Sequence, residues 1–334
     1  MYQKPTQTHC DEITQINPDV LTFVGCGLNR PECVLTNAYG DIYSADWRGG
    51  VAHILPNGEQ RLYKGIALDG RGLRPNGISL QEDGSFLLAD LGAELGGVFR
   101  LQRNGKVTVF LDKVDGMDLP PTNFVFTDHG GRTWITVSTK KKPRDIAYRK
   151  EVADGFIVMV DKKGARIIAD GLGYTNEAAI DPTGHWLYVN ETYARVLSRF
   201  PLKPNGELGQ REIVTEFNAG VFPDGLAFDT QGSAWITSII SNRIIRVLPD
   251  GTQQLILEDS AHDHLAWVED AFQRGQLGRP HLDNIKSRFL KNMSSLAFGG
   301  KDLRTAYLGC LLGDNIGCLR LPVSGFPPAH WNYH

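Results

Sequence analysis

The sequence predicts an all-β protein, a six-bladed β-propeller with four-stranded antiparallel blades. At six places a polar residue stands eight positions before a Gly or Asp that opens a turn, with an apolar stretch between them. A strand-like run follows each turn, and successive runs are roughly 45 to 55 residues apart, with one longer gap before the last. This period fits a propeller blade better than a helical repeat. The pairs are Glu32 with Gly40, Asn76 with Gly84, Asn123 with Gly131, Asn176 with Gly184, Asp224 with Gly232, and Ser294 with Asp302.

Each repeat also carries the signals of an antiparallel meander. The apolar stretch after the polar residue is the expected first strand, and the β-rich run after the turn is the second. Asn-Gly or Asp-Gly pairs, as at Asn57-Gly58 and Asp250-Gly251, then supply the positive φ that tight hairpins require. The runs before these second turns are VAHIL, GVFRL, FIVMV, VLSRF and RIIRV, and those after them are RLYKG, VTVFL, ARIIA, REIVT and QQLIL. We therefore expect each blade to end at the outer rim.

Two segments depart from the repeat. Residues 138–155 lengthen the third blade with a cationic loop, which we expect to be a solvated excursion rather than a substrate contact. Residues 259–291 break the period, and Leu265, Val268 and Phe272 have the spacing of one helix face. The second segment predicts a short helical insertion between blades five and six, placed as a lid near one mouth of the channel.

The repeat accounts for nearly the whole chain of 334 residues, so we expect a single domain over residues 1–334. The residues before the first repeat have no partner of their own. A strand near residues 20–24 is expected to complete the sixth blade, because a closed propeller avoids a free strand edge.

Composition excludes several classes of function. The chain has 35 Lys and Arg against 38 Asp and Glu, a formal charge of -3, which argues against nucleic acid as a partner. The first residues lack the apolar core of a secretory signal, and no run reaches the roughly 18 apolar residues of a membrane span. Five cysteines without a CxxC pair favour buried thiols in a reducing compartment. We expect a cytoplasmic protein with no membrane partner, and its oligomeric state is left open.

Equivalent positions in a closed propeller lie on a ring, so the six polar residues are expected to converge. Glu32 and Asp224 would repel each other and lose water there, which raises the free energy unless a cation lies between them. Carboxylate and amide oxygens suit Ca²⁺, Mg²⁺ or Mn²⁺ better than a thiolate-seeking ion. The pattern therefore predicts one divalent cation, with calcium the first choice and Mg²⁺, Mn²⁺ or Zn²⁺ as alternatives.

Several motifs resemble one family. They are RPE at residues 30–32, TNFVFTDHGGRTWITVST, YTNEAAIDPTGHWLYVNET, FPDGLAFDTQGSAWIT and SSLAFGGKDLRTAYLGC. They look like those of the family that joins senescence marker protein, gluconolactonase and luciferin-regenerating enzyme, over roughly residues 20–325. The resemblance implies a six-bladed propeller that hydrolyses lactones, often of sugar acids. It also implies one divalent cation held by Glu32, Asn176 and Asp224, with Asn123 binding the substrate or the metal.

The resulting hypothesis is a metal-dependent lactonase in which the cation polarises the substrate carbonyl. Asp224 would orient or deprotonate the attacking water, and Asn123 is the second candidate catalytic residue. Asn76, Asn123 and Ser294 are the candidate substrate-binding residues. Many sugar lactonases carry an Arg shortly before the third-blade Asn and Asp-Gly after it, whereas Asn123 lies between Thr122 and Phe124. This departure suggests a more apolar pocket than gluconolactone itself requires.

Three alternatives stay open at this stage. An ester or organophosphate hydrolase of the diisopropyl fluorophosphatase type also uses a Glu, two Asn and an Asp around calcium. A propeller enzyme with a non-hydrolytic reaction and an interaction platform with a charge-neutralising ion are the others. The expected partner is a small-molecule lactone or ester. Glu177, next to Asn176, is expected either to point into its blade or to support the site.

Overall fold

Six four-stranded antiparallel sheets are found in the computed structural model, which describes residues 12–66, 70–92, 94–284 and 286–334. The inner strands of these sheets contact one another in a closed cycle, so the sheets are the blades of a propeller. The fold class predicted from the repeat is confirmed. Cys10, one of the five cysteines, lies outside the described residues.

The first three blades follow the chain order from the inner strand outward. The first strand of the chain, β1 (Thr22–Val24), belongs to the last blade. Blade one consists of β2 (Val34–Thr36), β3 (Ile42–Asp46), β4 (Gly50–Ile54) and β5 (Gln60–Lys64). Blade two consists of β6 (Pro75–Leu80), β7 (Phe86–Asp90), β8 (Gly97–Leu101) and β9 (Val107–Leu111). A small hairpin of β10 (Lys113–Val114) and β11 (Met117–Asp118) precedes blade three, which consists of β12 (Phe124–Thr127), β13 (Thr133–Val137), β14 (Gly155–Asp161) and β15 (Gly164–Leu172).

The remaining blades repeat this order. Blade four consists of β16 (Thr175–Ile180), β17 (Trp186–Glu191), β18 (Val196–Pro201) and β19 (Glu212–Glu216). Blade five consists of β20 (Phe222–Phe228), β21 (Ala234–Ile239), β22 (Arg243–Val247) and β23 (Gln253–Glu258). Blade six consists of β24 (Met293–Gly299), β25 (Thr305–Cys310), β26 (Ile316–Arg320) and β1.

The second strand of a blade is a buried element that locks neighbouring blades together. Trp134 in β13 and Trp235 in β21 are fully buried, and their indole N–H groups donate to Asp128 and Asp229 at 2.9 Å. In both blades an Asp at the equivalent position before the strand accepts the hydrogen bond of the indole N–H, which is the only polar group of the ring. The large side chain is therefore buried without an unpaired donor.

Blade six closes the ring with strands from both parts of the chain. The strand β1 pairs antiparallel with β26, with Phe23 opposite Gly317. The strand that the sequence predicts near residues 20–24 is therefore confirmed, and it covers the edge that β26 would otherwise expose.

The insertion between blades five and six contains α1 (His262–Gln273) and α2 (Arg279–Asp283). Val268 and Phe272 are buried and Leu265 packs against the same cluster, so the helix face expected from their spacing is confirmed. None of the helices in the described ranges is both long and apolar enough to cross a membrane.

Candidate active site

The six polar residues of the repeat meet at one end of the channel. They are all buried, with exposed fractions between 1% for Ser294 and 5% for Glu32 and Asn176. Each comes from a different blade, as equivalent positions in a propeller require. The convergence expected from the sequence is what the structure shows for Glu32, Asn76, Asn123 and Asn176, which are joined by hydrogen bonds.

Local breaks in strand pairing place these side chains. In four blades the register of the inner strand shifts at the polar residue, so that residue is left out of the ladder and its side chain is re-aimed. The shifts lie between Pro75 and Ile78, Thr175 and Ala178, Pro223 and Leu226, and Met293 and Ser295. In blades one and three the polar residue lies just before the inner strand begins. The site therefore lies near the start of the inner strands, where their backbone pairing with the second strands is interrupted or begins.

Amide side chains form a continuous relay across the site. The Asn76 amide donates to Glu32 Oε1 at 2.7 Å and to Asn123 Oδ1 at 3.2 Å. The Asn123 amide donates to Asn176 Oδ1 at 2.6 Å, and the Asn176 amide donates to Thr192 Oγ1 at 3.0 Å. Every amide N–H₂ in the relay has an acceptor. The orientation of each amide is therefore set by its neighbour.

Two carboxylates at the site lack full compensation. Among the described residues, Glu32 Oε2 and Asp224 Oδ1 are buried and have no hydrogen-bond partner. Burial raises the pKa of Glu32 to about 7, and burial together with the Glu32 charge raises the pKa of Asp224 well above its usual value. Two buried, partly unpaired carboxylates are a costly arrangement without a cation.

The donor set fits a hard divalent cation. Free oxygens of Glu32 and Asp224 and the amide oxygen of Asn176 are the kind of ligand that Ca²⁺ and Mg²⁺ take. In the parts of the chain that the structure describes, no three His, Cys, Asp or Glu side chains are grouped as a metal site. The fit therefore rests on two carboxylates supplemented by amides, and metal binding stays a prediction.

Two arginines that were not predicted as site residues contact the relay. Arg30 Nη2 donates to Asn76 Oδ1 at 3.2 Å, and Arg144 Nη2 donates to Asn123 Oδ1 at 3.1 Å. Burial lowers the pKa of Arg30 from its usual value, and the Glu32 charge opposes that shift. Arg30 is part of the RPE motif, so its position before Glu32 was a usable signal. Arg144 lies in a loop outside the blade repeat, so no repeat position pointed to it.

The cationic loop at residues 138–155 is therefore not wholly a solvated excursion. Lys140, Lys141 and Lys142 are exposed as expected, but the loop then turns back through a 3-10 helix (Arg144–Ala147). That turn brings the Arg144 guanidinium to Asn123, and Arg144 Nη2 donates to Ser138 Oγ at 3.0 Å. The expectation of a solvated excursion is therefore wrong at Arg144, and contact of this loop with a substrate is not tested by the structure.

Ser294 and Glu177 hold the surrounding backbone. The Ser294 hydroxyl donates to the Glu32 carbonyl at 2.9 Å, which ties blade six to the residue that carries a candidate ligand. Glu177 Oε2 accepts the Leu226 N–H at 2.9 Å, and burial raises the pKa of Glu177 well above its usual value. Glu177 thus supports the blade that carries Asp224. Substrate binding by Ser294 stays a prediction.

Aromatic rings form a buried cluster that contacts the relay arginine Arg144 through Tyr174. Tyr148 stands 5.5 Å from Tyr174 and 4.7 Å from Tyr193, measured between ring centroids. Phe272 of α1 packs edge-on against Phe222 at the start of β20, at 5.4 Å. The insertion therefore rests on the same aromatic cluster as the third-blade loop. Its proposed role as a lid is consistent with this position and stays a prediction.

A separate cavity of about 370 Å³ occupies the other half of the channel. Its walls are mainly apolar, with Glu177 and Cys33 at the end toward the site, and the segment 326–330 lines it as well. None of the six polar residues of the repeat lines this cavity. The relay and the cavity are therefore two different environments in one channel.

Comparison with protein families decides the relationship of this chain. The family model described as the SMP-30/gluconolactonase/LRE-like region matches residues 31–258, more than half of the chain. The chain belongs to this family. The match covers blades one to five, including Glu32, Asn176 and Asp224. The resemblance inferred from the motifs is confirmed.

One curated relative and two solved structures are similar to this chain. A 6-deoxy-6-sulfogluconolactonase of Pseudomonas putida is 29% identical over 235 residues, 69% of this chain and 67% of the relative. A solved gluconolactonase of Xanthomonas campestris has a TM-score of 0.66 at 17% identity, covering 94% of this chain and 96% of its own. The calcium-binding protein regucalcin of Agrobacterium tumefaciens has a TM-score of 0.62 at 15% identity, covering 93% and 98%. The two solved structures support the fold alone.

Proposed function

We propose that this protein is a divalent-metal-dependent lactonase that opens a small-molecule lactone by hydrolysis. The observation that carries the proposal is the pair of buried carboxylate oxygens, Glu32 Oε2 and Asp224 Oδ1, that have no partner among the described residues. Membership of the SMP-30/gluconolactonase/LRE-like family supports the reaction class, as does the sulfogluconolactonase relative.

Glu32, Asn176 and Asp224 would hold the cation. When bound, it would polarise the lactone carbonyl and stabilise negative charge on its oxygen. Calcium is the first choice, with Mg²⁺, Mn²⁺ and Zn²⁺ as alternatives, because the donors are all oxygen. Calcium is placed first because regucalcin, a protein of the same fold, is named as calcium-binding.

The remaining chemistry is assigned to side chains of the site. Asp224 orients a water molecule and accepts its proton as the water oxygen bonds to the acyl carbon. The ring C–O bond then breaks, and the ring oxygen keeps the electron pair and takes up the proton. The products are the carboxyl and hydroxyl groups of the open acid. Asn123 and Asn76 orient the substrate, because the relay fixes the direction of each amide.

The test is acid release from a panel of lactones, esters and organophosphates with purified protein stripped of metal and then supplied with Ca²⁺. We expect lactone opening only with metal, and about a 100- to 1,000-fold loss in Asp224→Asn. The matched control is Asp250→Asn, which removes a carboxylate from an exposed hairpin turn and should leave the rate unchanged.

Two outcomes would contradict the proposal. One is silence across all lactones with Ca²⁺, Mg²⁺, Mn²⁺ and Zn²⁺ supplied in turn. The other is an Asp224→Asn variant that opens lactones at the rate of the original protein. Turnover of esters or organophosphates without any lactone opening would favour the alternative hydrolase.

A further inference from the structure

Two guanidinium groups flank the amide relay from different parts of the chain. Arg30 lies in the turn before β2 and donates to Asn76, whereas Arg144 lies in the third-blade loop and donates to Asn123. Since Asn76 also donates to Asn123 Oδ1, the two guanidinium groups are connected through only two amide side chains. Both therefore border the same small space.

Neither guanidinium is neutralised by a partner of its own. Within the described ranges, neither Arg30 nor Arg144 forms an ion pair, and the Nε atoms of both are buried without an acceptor. A buried N–H without an acceptor costs free energy that a bound oxygen would recover. Guanidinium groups with free N–H donors are the preferred partners of carboxylate and other oxyanions.

Aromatic rings hold both guanidinium groups in place without removing their charge. Arg30 lies 4.5 Å from the ring centroid of Trp47, and Arg144 lies 5.6 Å from that of Tyr174. A cation–π contact of this kind leaves the N–H groups of the guanidinium able to form hydrogen bonds. Both guanidinium groups thus keep their positive charge next to the relay.

The charge balance of the site leads to the same ligand. The carboxylates that attract Arg30 are Glu32 and Asp224, which the proposed function assigns to the cation. With a divalent ion on those carboxylates, the space around Arg30 and Arg144 has a net positive charge, even with Glu177 ionised.

We propose that Arg30 and Arg144 form an anion subsite beside the reaction site, so that the substrate is a lactone carrying a negatively charged substituent such as a sulfonate or carboxylate. This inference rests on the proposed lactonase function. It assigns specificity to a residue of the third-blade loop, Arg144, that lies outside the repeat.

The kinetic test compares three δ-lactones of gluconic acid that differ at one carbon, with a hydroxyl, a sulfonate or a carboxylate at position 6. The variants are Arg144→Gln and, as matched control, Lys141→Gln, which removes an exposed charge from the same loop. We expect at least a tenfold preference for an anionic lactone in the original protein. Arg144→Gln should lose about 10- to 100-fold in kcat/KM on that lactone, mainly through KM, with less than threefold change on the neutral one. Lys141→Gln should change neither.

A binding test separates this inference from the lactonase proposal. Tetrahydropyran-2-ylmethanesulfonate and its neutral counterpart tetrahydropyran-2-methanol have no carbonyl to hydrolyse. Calorimetric titration of the calcium-supplied protein should show binding of the sulfonate only, and Arg144→Gln should weaken it by about 10- to 100-fold. Sulfonate binding without opening of any lactone would contradict the lactonase proposal and support the anion subsite.

Several outcomes would overturn the subsite itself. One is opening of neutral and anionic lactones with equal efficiency. Another is an equal loss on both in Arg144→Gln, which would mean that Arg144 only positions Asn123. A third is failure of the sulfonate to bind. Preference for the sulfonate or for the carboxylate arm identifies which anion the substrate carries.

Discussion

Burial of two carboxylates, Glu32 of blade one and Asp224 of blade five, is the main electrostatic cost of the site. Each is almost completely buried, and the Glu32 charge acts on Asp224 across the end of the channel. Asn76 satisfies one oxygen of Glu32, but the second oxygen has no partner among the described residues. Arg30 and Arg144 offset part of this charge, but the free oxygens of Glu32 and Asp224 form no hydrogen bond with either guanidinium.

Replacing Glu32 by Gln tests that cost. In metal-free protein above pH 7, Glu32→Gln should stabilise the fold by about 3 kcal/mol, because it removes a charge whose pKa is raised on folding. The sign follows from linkage: a carboxyl with a raised folded pKa opposes folding as pH rises above its unfolded value of 4.5, and the full cost is reached above the folded pKa of about 7. The measurement is the thermal midpoint in chelator, followed by addition of Ca²⁺.

The control for this prediction is Glu59→Gln. Glu59 is an exposed carboxylate paired with Arg61, so its removal should leave both the midpoint and the calcium response close to the original. Calcium should raise the midpoint of the original protein and of Glu59→Gln but not of Glu32→Gln. An equal calcium shift in all three would exclude Glu32 as a ligand.

Strand β20 shows how an element aims a functional residue. Its pairing with β21 skips from Pro223 to Leu226, so Asp224 and Gly225 are unpaired at the edge of the site. A Cβ at Gly225 would lie 2.6 Å from the Ser294 carbonyl oxygen and 2.7 Å from Ser295 Cα, both in blade six. The absence of a side chain at Gly225 allows the blades to approach closely while Asp224 faces the channel.

The variant Gly225→Ala tests this close approach. The added methyl group cannot be accommodated without moving backbone, so we expect a loss of about 2 kcal/mol in unfolding free energy. Lactone opening should also fall, because Asp224 moves with the bulge. Gly72→Ala is the matched control, since a Cβ there meets no atom within 4 Å. Chemical denaturation gives both values, and an unchanged midpoint for Gly225→Ala would refute the packing argument.

The insertion and the third-blade loop pack against each other. Val268 and Phe272 of α1 join Tyr148 and Tyr193 in one buried cluster. Arg195 pairs with Glu269 of α1 at 2.7 Å, which fixes the helix to blade four. The insertion therefore supports the loop that carries Arg144 to the relay.

The whole molecule depends on closure of the ring at blade six. The pairing of β1 with β26 extends over three residue pairs and supplies the fourth strand of that blade. Closure matters for the site because Ser294 of β24 holds the Glu32 carbonyl of blade one. The ends of the repeat are thus joined next to a candidate ligand.

Removing β1 tests the role of closure. A chain that begins at residue 25 should be less stable than a chain that begins at residue 12, by on the order of 3 kcal/mol, since its last blade loses a strand and its hydrogen bonds. The exposed edge of β26 should also promote association, which size-exclusion chromatography detects. Equal denaturation midpoints for the two chains would show that β1 is dispensable.

The sequence by itself determined the blade repeat and the set of polar residues on the ring. Strand alternation and turn glycines are local signals within each repeat, and the constant spacing between the polar residue and the turn identifies equivalent positions in all six. Glu32 and Asp224 could be named because their positions in the repeat are equivalent. Only the tertiary structure decided that Arg144 reaches Asn123, since the path of a loop outside the repeat is set by packing against distant rings such as Tyr174. It also decided which carboxylate oxygens are left without partners, because hydrogen bonds between blades depend on side-chain positions that no spacing encodes.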